Sequence, residues 1–195
     1  MDIKTIAAVG DSISNGYCDP HGGWLIRLLQ TLNKSGDTFY SLNNFAISGD
    51  TLGDAWHNLC RNCIHRQTDT LILYIGANDI RRKSSIENEM ATSQELRACY
   101  WDQIIDLAAR LPQKTIVFGL LPVDEGKGAY ECEDGIWFWQ NTDVQSYNAF
   151  IRDRLQGTDI QFIDWHDDFT KNTPLPDLME DIVHPNAEGH QRMAE

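Results

Sequence analysis

Long hydrophobic runs are missing from this 195-residue chain. None approaches the roughly 18 apolar residues of a membrane-spanning helix, so no membrane span is expected. Between Lys4 and Gly10 lie only Thr5, Ile6, Ala7, Ala8 and Val9, shorter than the roughly 7–15-residue core of a secretory leader. A cytoplasmic location is the expectation. Positive charge is scarce as well: 16 Lys and Arg stand against 29 Asp and Glu, a net charge of −13. Residues 1–97 hold 9 basic and 11 acidic side chains and the remainder 7 and 18, so most of the excess lies in the second half. Such a surface repels phosphate backbones and anionic headgroups, which argues against nucleic acid as a partner.

Cysteine is sparse and odd in number. Five thiols suit a reducing compartment better than a disulfide framework. Cys60 and Cys63 have the C-x-x-C spacing, but no second pair or nearby His completes a zinc set, and two thiols one helical turn apart is the plainer reading. The H-x-H and H-E-x-x-H spacings of metal enzymes are lacking. Of the histidines His21, His57, His65, His166 and His190, only His166, beside Asp167 and Asp168, comes near a cluster. Repeats and linkers are absent too, and residues 1–195 have the length of one domain that can bury its own core.

What is present is alternation. Ile6–Val9, Leu71–Ile75, Thr115–Phe118 and Ile160–Ile163 are short, β-branched-rich runs suited to strands buried on both faces, and Phe39–Leu42 is a weaker fifth. Between them, apolar residues step by three or four: Leu25, Leu28, Leu29 and Leu32; Leu96, Tyr100, Ile104, Leu107, Ala108 and Leu111; Val144, Tyr147, Ile151 and Leu155. Strand–helix alternation predicts an α/β fold, a three-layer α/β/α sandwich with a doubly wound five-stranded parallel sheet. The longest stretch without periodicity, 121–142, follows the fourth strand and carries Trp137-Phe138-Trp139. A connection of that length is functional or mobile, and the aromatics are either half core and half lid or a wall for an acyl group.

Ligands bind outside the carboxyl ends of the strands in such sheets. The residues there are Gly10-Asp11-Ser12-Ile13-Ser14-Asn15-Gly16, then Asn44 to Thr51 with Ser48-Gly49-Asp50, then Gly76-Ala77-Asn78-Asp79, and near the end Asp181-Ile182-Val183-His184-Pro185. A serine hydroxyl needs a base to become a nucleophile, and a histidine is the side chain suited to that near neutral pH. Ser12 is the candidate nucleophile and His184 the candidate base. Asp181, three residues before His184, can reach the outer imidazole nitrogen, with Asp177 and Glu180 close enough to compete.

Together the four segments resemble the GDSL, or SGNH, hydrolase family, from residue 10 to residue 189 and in the family's order. Pro185, Asn186 and Gly189 extend the match; Ile13 stands where the name-giving motif has Leu. The resemblance implies a flavodoxin-like fold, a covalent acyl-enzyme, no cofactor, and an oxyanion hole of the Ser12 and Gly49 backbone N–H groups with the Asn78 side-chain amide. It implies a serine esterase for small acyl esters, thioesters or lysophospholipids, with a carbohydrate acetylesterase as the alternative. A ligand-binding module that kept the fold is the non-enzymatic alternative. Asp11 and Asp79 read as groups shaping their own turns. Arg81-Arg82-Lys83 reads as a solvated loop or a contact for an anionic part of a small-molecule substrate. The chain stops at Glu195, part-way into a helix expected to start near Asn186.

Overall fold

Ile6, Ala7, Ala8 and Val9 are all buried, the signature of a strand covered on both faces. In the computed structural model, which describes residues 2–34, 36–64, 66, 68–111 and 114–195, they sit inside the sheet. The first half of the chain runs β1 (Asp2–Gly10), α1 (Ser12–Asn15), α2 (Gly23–Lys34), β2 (Thr38–Asn44), α3 (Leu52–Asn62), β3 (Thr70–Tyr74), α4 (Ala77–Ile80) and β4 (Arg82–Lys83). The second half runs α5 (Gln94–Arg110), β5 (Lys114–Phe118), a 3₁₀ turn (Glu125–Lys127), β6 (Tyr130–Cys132), β7 (Gly135–Phe138), α6 (Asn141–Arg154), β8 (Gln161–Ile163), α7 (His166–Phe169), α8 (Leu175–Leu178) and α9 (Ala187–Met193).

Five strands form one parallel sheet in the order β2-β1-β3-β5-β8. All five expected runs lie in it, including the weak one at Phe39–Leu42. Because β1 sits between β2 and β3, the winding reverses there, and the carboxyl ends of β1 and β3 border the switch point where such sheets bind ligands. Helices flank the sheet. From α2, Trp24 meets Phe118 of β5 and Trp165 edge-on, with ring centroids 5.4 and 5.2 Å away. Trp101 of α5 donates to the Tyr147 hydroxyl of α6 at 3.1 Å, and that hydroxyl donates to the Ile75 carbonyl at 3.0 Å. Gly76 leaves room for this bridge: a Cβ there would lie 1.9 Å from the Tyr147 oxygen, at a φ of +123°.

Three features differ from expectation. Helix α3 buries Leu52, Ala55 and Leu59, a stripe too sparse to stand out in sequence. The 121–142 stretch holds the 3₁₀ turn and the β6–β7 hairpin, whose strands of three and four residues are too short to show a period. The Arg81–Lys83 run is not a solvated loop: β4 pairs with β7 in a second, antiparallel sheet of order β4-β7-β6. Arg82 is fixed there by two hydrogen bonds to Asp143, at 3.0 and 3.1 Å.

Candidate active site

Strand β1 ends at Gly10, and the chain turns into α1 at once. Asp11 caps that turn, its Oδ1 accepting the Ile13 N–H at 3.0 Å, and Gly16 closes it in the left-handed region. Ser12 is the first residue of α1, held at the carboxyl end of the sheet's central reversal. Its Oγ lies 2.9 Å from Nε2 of His184. Asp11 is wholly buried, and burial pushes its carboxyl up to about 7 although the Ile13 N–H and the His184 charge oppose the rise.

His184 stands on the loop between α8 and α9. The loop is pinned by a Glu180 N–H to His184 carbonyl bond of 2.8 Å and an Asp124 N–H to Ile182 carbonyl bond of 2.9 Å. Lys127 donates to the carbonyls of Met179 and Glu180. Asp181 Oδ2 is 2.7 Å from His184 Nδ1, while its Oδ1 accepts the N–H groups of Val183 at 2.9 Å and His184 at 2.7 Å. A carboxylate only accepts, so Nδ1 carries the imidazole proton and Nε2 presents its lone pair to Ser12. Burial pushes the Asp181 carboxyl up, but the hydrogen bonds and charge of His184 outweigh it and hold the group below its ordinary value. The competitors Asp177 and Glu180 are both exposed.

The other two segments meet these. Gly49 has a φ of +90°, and a Cβ there would meet nothing within 4 Å, so its backbone conformation rather than crowding calls for glycine. Asn78, in α4, is buried; its Nδ2 donates to the Asp50 carbonyl at 3.0 Å and its Oδ1 accepts from Arg81 Nη1 at 3.2 Å. Hydrogen bonds join the blocks: Ile47 N–H to the Gly10 carbonyl at 3.0 Å, and Asn44 Nδ2 to the Ser14 carbonyl at 2.9 Å. Asp79 does more than shape its own turn, since its Oδ2 accepts the Leu52 N–H at 2.9 Å and so ties α4 to the start of α3. Burial pushes its carboxyl up to about 6.

Ser12, Gly49, Asn78 and His184 line one cleft of about 210 Å³. Sequence reasoning missed several of its walls. Tyr17 and Tyr130 meet the His184 ring edge-on, at centroid distances of 4.7 and 5.3 Å. They come from distant parts of the chain, and nothing in their spacing marks them. Of the aromatic triplet, Trp139 lines the cleft and donates to the Ala77 carbonyl at 2.8 Å; Trp137 is buried under Arg81 instead. His190 is structural: its Nδ1 accepts the Trp24 N–H at 3.2 Å and its Nε2 donates to the Tyr17 carbonyl at 2.9 Å, which anchors the residue following the Ser12 turn. A larger hollow of about 610 Å³ near Trp165 and Arg192 has no Ser, Thr, Cys or His among the described residues that line it. His166 is 3.1 Å from Asp167, and among the described residues no group of three or more His, Cys, Asp or Glu could hold a metal ion; His65 lies outside those residues.

The sequence pattern of the GDSL-like Lipase/Acylhydrolase family matches residues 8–192. No curated protein matches the chain. Among solved structures it is similar to a catalytic mutant of an acetylxylan esterase from Geobacillus stearothermophilus, with a TM-score of 0.76 and 17% identity over 98% of this chain and 90% of that one. It is similar to a second acetyl xylan esterase, with a TM-score of 0.77 and 22% identity over 97% and 96%. A lipase/acylhydrolase from Enterococcus faecalis gives a TM-score of 0.75 and 17% identity over 98% and 91%. At these identities the structural likeness speaks to the fold.

Proposed function

Because the chain belongs to the GDSL-like Lipase/Acylhydrolase family and is thereby a serine hydrolase of ester bonds, we propose that Ser12, His184 and Asp181 form its catalytic triad and that it deacylates esters of small acyl groups. The observation that carries this is the unbroken chain from Ser12 Oγ through the imidazole to Asp181, at 2.9 and 2.7 Å. In this reading Ser12 Oγ attacks the ester carbonyl carbon while Nε2 takes its proton, and Asp181 stabilises the imidazolium. The carbonyl oxygen gains a negative charge, received by the N–H groups of Ser12 and Gly49 and by the Asn78 amide. Nε2 then returns the proton to the leaving alcohol, leaving an acyl group on Ser12. Water repeats the sequence with His184 as base, releasing the acid. No cofactor enters any step, and residues 1–195 act as one domain.

Size supports a small acyl group. The cleft holds about 210 Å³, below the roughly 300–1,000 Å³ of pockets that enclose drug-sized ligands, so a lysophospholipid tail has no enclosed place. The carbohydrate acetylesterase reading is favoured by that size together with the rim. Tyr17 and Tyr130 set two aromatic rings beside the base, a surface suited to packing on a sugar ring. The acetylxylan substrate named for two similar structures agrees with it.

A series of aryl esters from acetyl to octanoyl tests the proposal. We expect kcat/KM to fall by at least about tenfold between the ends of the series, and Ser12→Ala and His184→Ala to lose activity by at least about a thousandfold. A preference for octanoyl would remove the small-acyl reading, and an active Ser12→Ala variant the triad.

A further inference from the structure

Two adjacent arginines follow Asn78 and are used differently. Arg82 pairs with Asp143 at 3.0 Å. Arg81, among the described residues, forms no ion pair; its guanidinium lies over the Trp137 ring, 3.9 Å from the centroid, and its Nη1 donates to Asn78 Oδ1 at 3.2 Å. It is the one Lys or Arg among the described residues lining the cleft. Asp134, at the same cleft, and Asp79 act on its charge only from beyond ion-pair distance, and a half-buried guanidinium with no carboxylate in direct contact is a cost to the fold that ion pairing would relieve. Its Nε, buried and without a hydrogen-bond partner, adds to that cost.

We propose that Arg81 is a positioning residue for oxyanion stabilisation, acting on the developing charge through Asn78. The inference rests on the reading of Asn78 as an oxyanion donor. A carboxamide can sit in its slot two ways, related by a flip that exchanges oxygen and nitrogen. Here Oδ1 faces the Arg81 donor and Nδ2 faces the Asp50 carbonyl. The flipped amide would set donor against donor and acceptor against acceptor, so one orientation alone is compatible with both neighbours. In that orientation Nδ2 has a second hydrogen that the Asp50 carbonyl does not use. A cation on the carboxamide oxygen also draws electron density from the nitrogen, which makes that N–H a stronger donor. An ion-paired arginine would do this less well, because its partner's charge would cancel much of the field. Trp137 holds the guanidinium in place without neutralising it, as an aromatic face does.

The experiment compares wild type, Arg81→Met, Arg81→Lys, Asn78→Ala and the Arg81→Met/Asn78→Ala double variant with p-nitrophenyl acetate. Removing a whole oxyanion donor costs about 100- to 1000-fold in kcat, so we expect that for Asn78→Ala. Arg81→Met should lose about tenfold or more in kcat with KM within about twofold. Arg81→Lys, which keeps the charge and loses the fork, should recover part of the loss. The double variant should be no slower than Asn78→Ala alone, because the arginine has nothing left to act through. Full activity of Arg81→Met beside a crippled Asn78→Ala overturns the role of Arg81 and leaves the oxyanion reading standing. Multiplying losses in the double variant, or a loss confined to KM, also overturn it. Undiminished activity of Asn78→Ala instead overturns the oxyanion reading itself. If Arg81→Met does not fold, Arg81→Gln, which removes the charge and keeps a polar side chain, decides: a lowered kcat at unchanged KM supports the role, and wild-type kcat refutes it.

Discussion

One carboxylate holds His184 at two points: Asp181 Oδ2 lies 2.7 Å from the ring Nδ1, while Oδ1 accepts the histidine's own backbone N–H at 2.7 Å. The second bond explains why the spacing of three residues matters. The loop is short enough for one side chain to brace both the backbone and the ring, and neither Asp177 nor Glu180 is placed to do so.

Asp181→Asn should therefore keep the loop and lose the chemistry. The amide oxygen can still accept the Val183 and His184 N–H groups. Its NH₂, however, would face Nδ1 and force the imidazole proton onto Nε2, where Ser12 needs an acceptor. A fall in kcat of about 100- to 10,000-fold is expected, with a melting temperature close to wild type. Near-wild-type turnover would mean that the carboxylate braces the loop and does nothing for the base.

The charge of −13 bears on substrate choice beyond the cleft. Its long-range field should slow association of polyanionic esters relative to neutral ones. The gap in kcat/KM should narrow as salt rises from about 10 mM to about 1 M, where the Debye length shrinks from roughly 30 to roughly 3 Å. Equal rates for both classes at low salt would show that the local environment of the cleft overrides the field.

Asp79 gives the fold a pH signature. Burial raises its carboxyl in the folded state to about 6, above the value of the unfolded chain. The folded state thus binds this proton more tightly, and the group's contribution is fully present below the unfolded value and lost as pH rises through about 6. Asp79→Asn keeps an acceptor for the Leu52 N–H and has nothing to ionise. Urea unfolding from pH 4 to pH 8 should show the variant gaining on wild type as pH rises, by up to about 3 kcal/mol, and levelling off above the folded value. A difference that does not change with pH would contradict the assignment.

Much of this fold is legible in sequence because its strands are buried on both faces. Ile6–Val9 and Leu71–Ile75 have no polar side to present, and α2, α5 and α6 carry apolar residues at steps of three or four, while the buried apolar stripe of α3 is only Leu52, Ala55 and Leu59. The candidate site is legible for a related reason: the blocks with Ser12, Gly49 and Asn78 directly follow β1, β2 and β3, so the sheet itself brings them to one rim, and His184 joins them from the loop between α8 and α9. What stayed hidden lacks a local signal. The β6–β7 hairpin is too short to have a period. Tyr17 and Tyr130 meet at His184 only through the fold, and Arg81 differs from Arg82 solely in what faces it across space.

The most direct measurement is the site at which an activated fluorophosphonate attaches to the folded protein. The triad predicts one adduct per chain, mapped to the peptide containing Ser12, with labelling slowed by at least about a hundredfold in His184→Ala. Protein that hydrolyses acetyl esters while Ser12 stays unmodified, or that takes the label at another residue, would contradict the account.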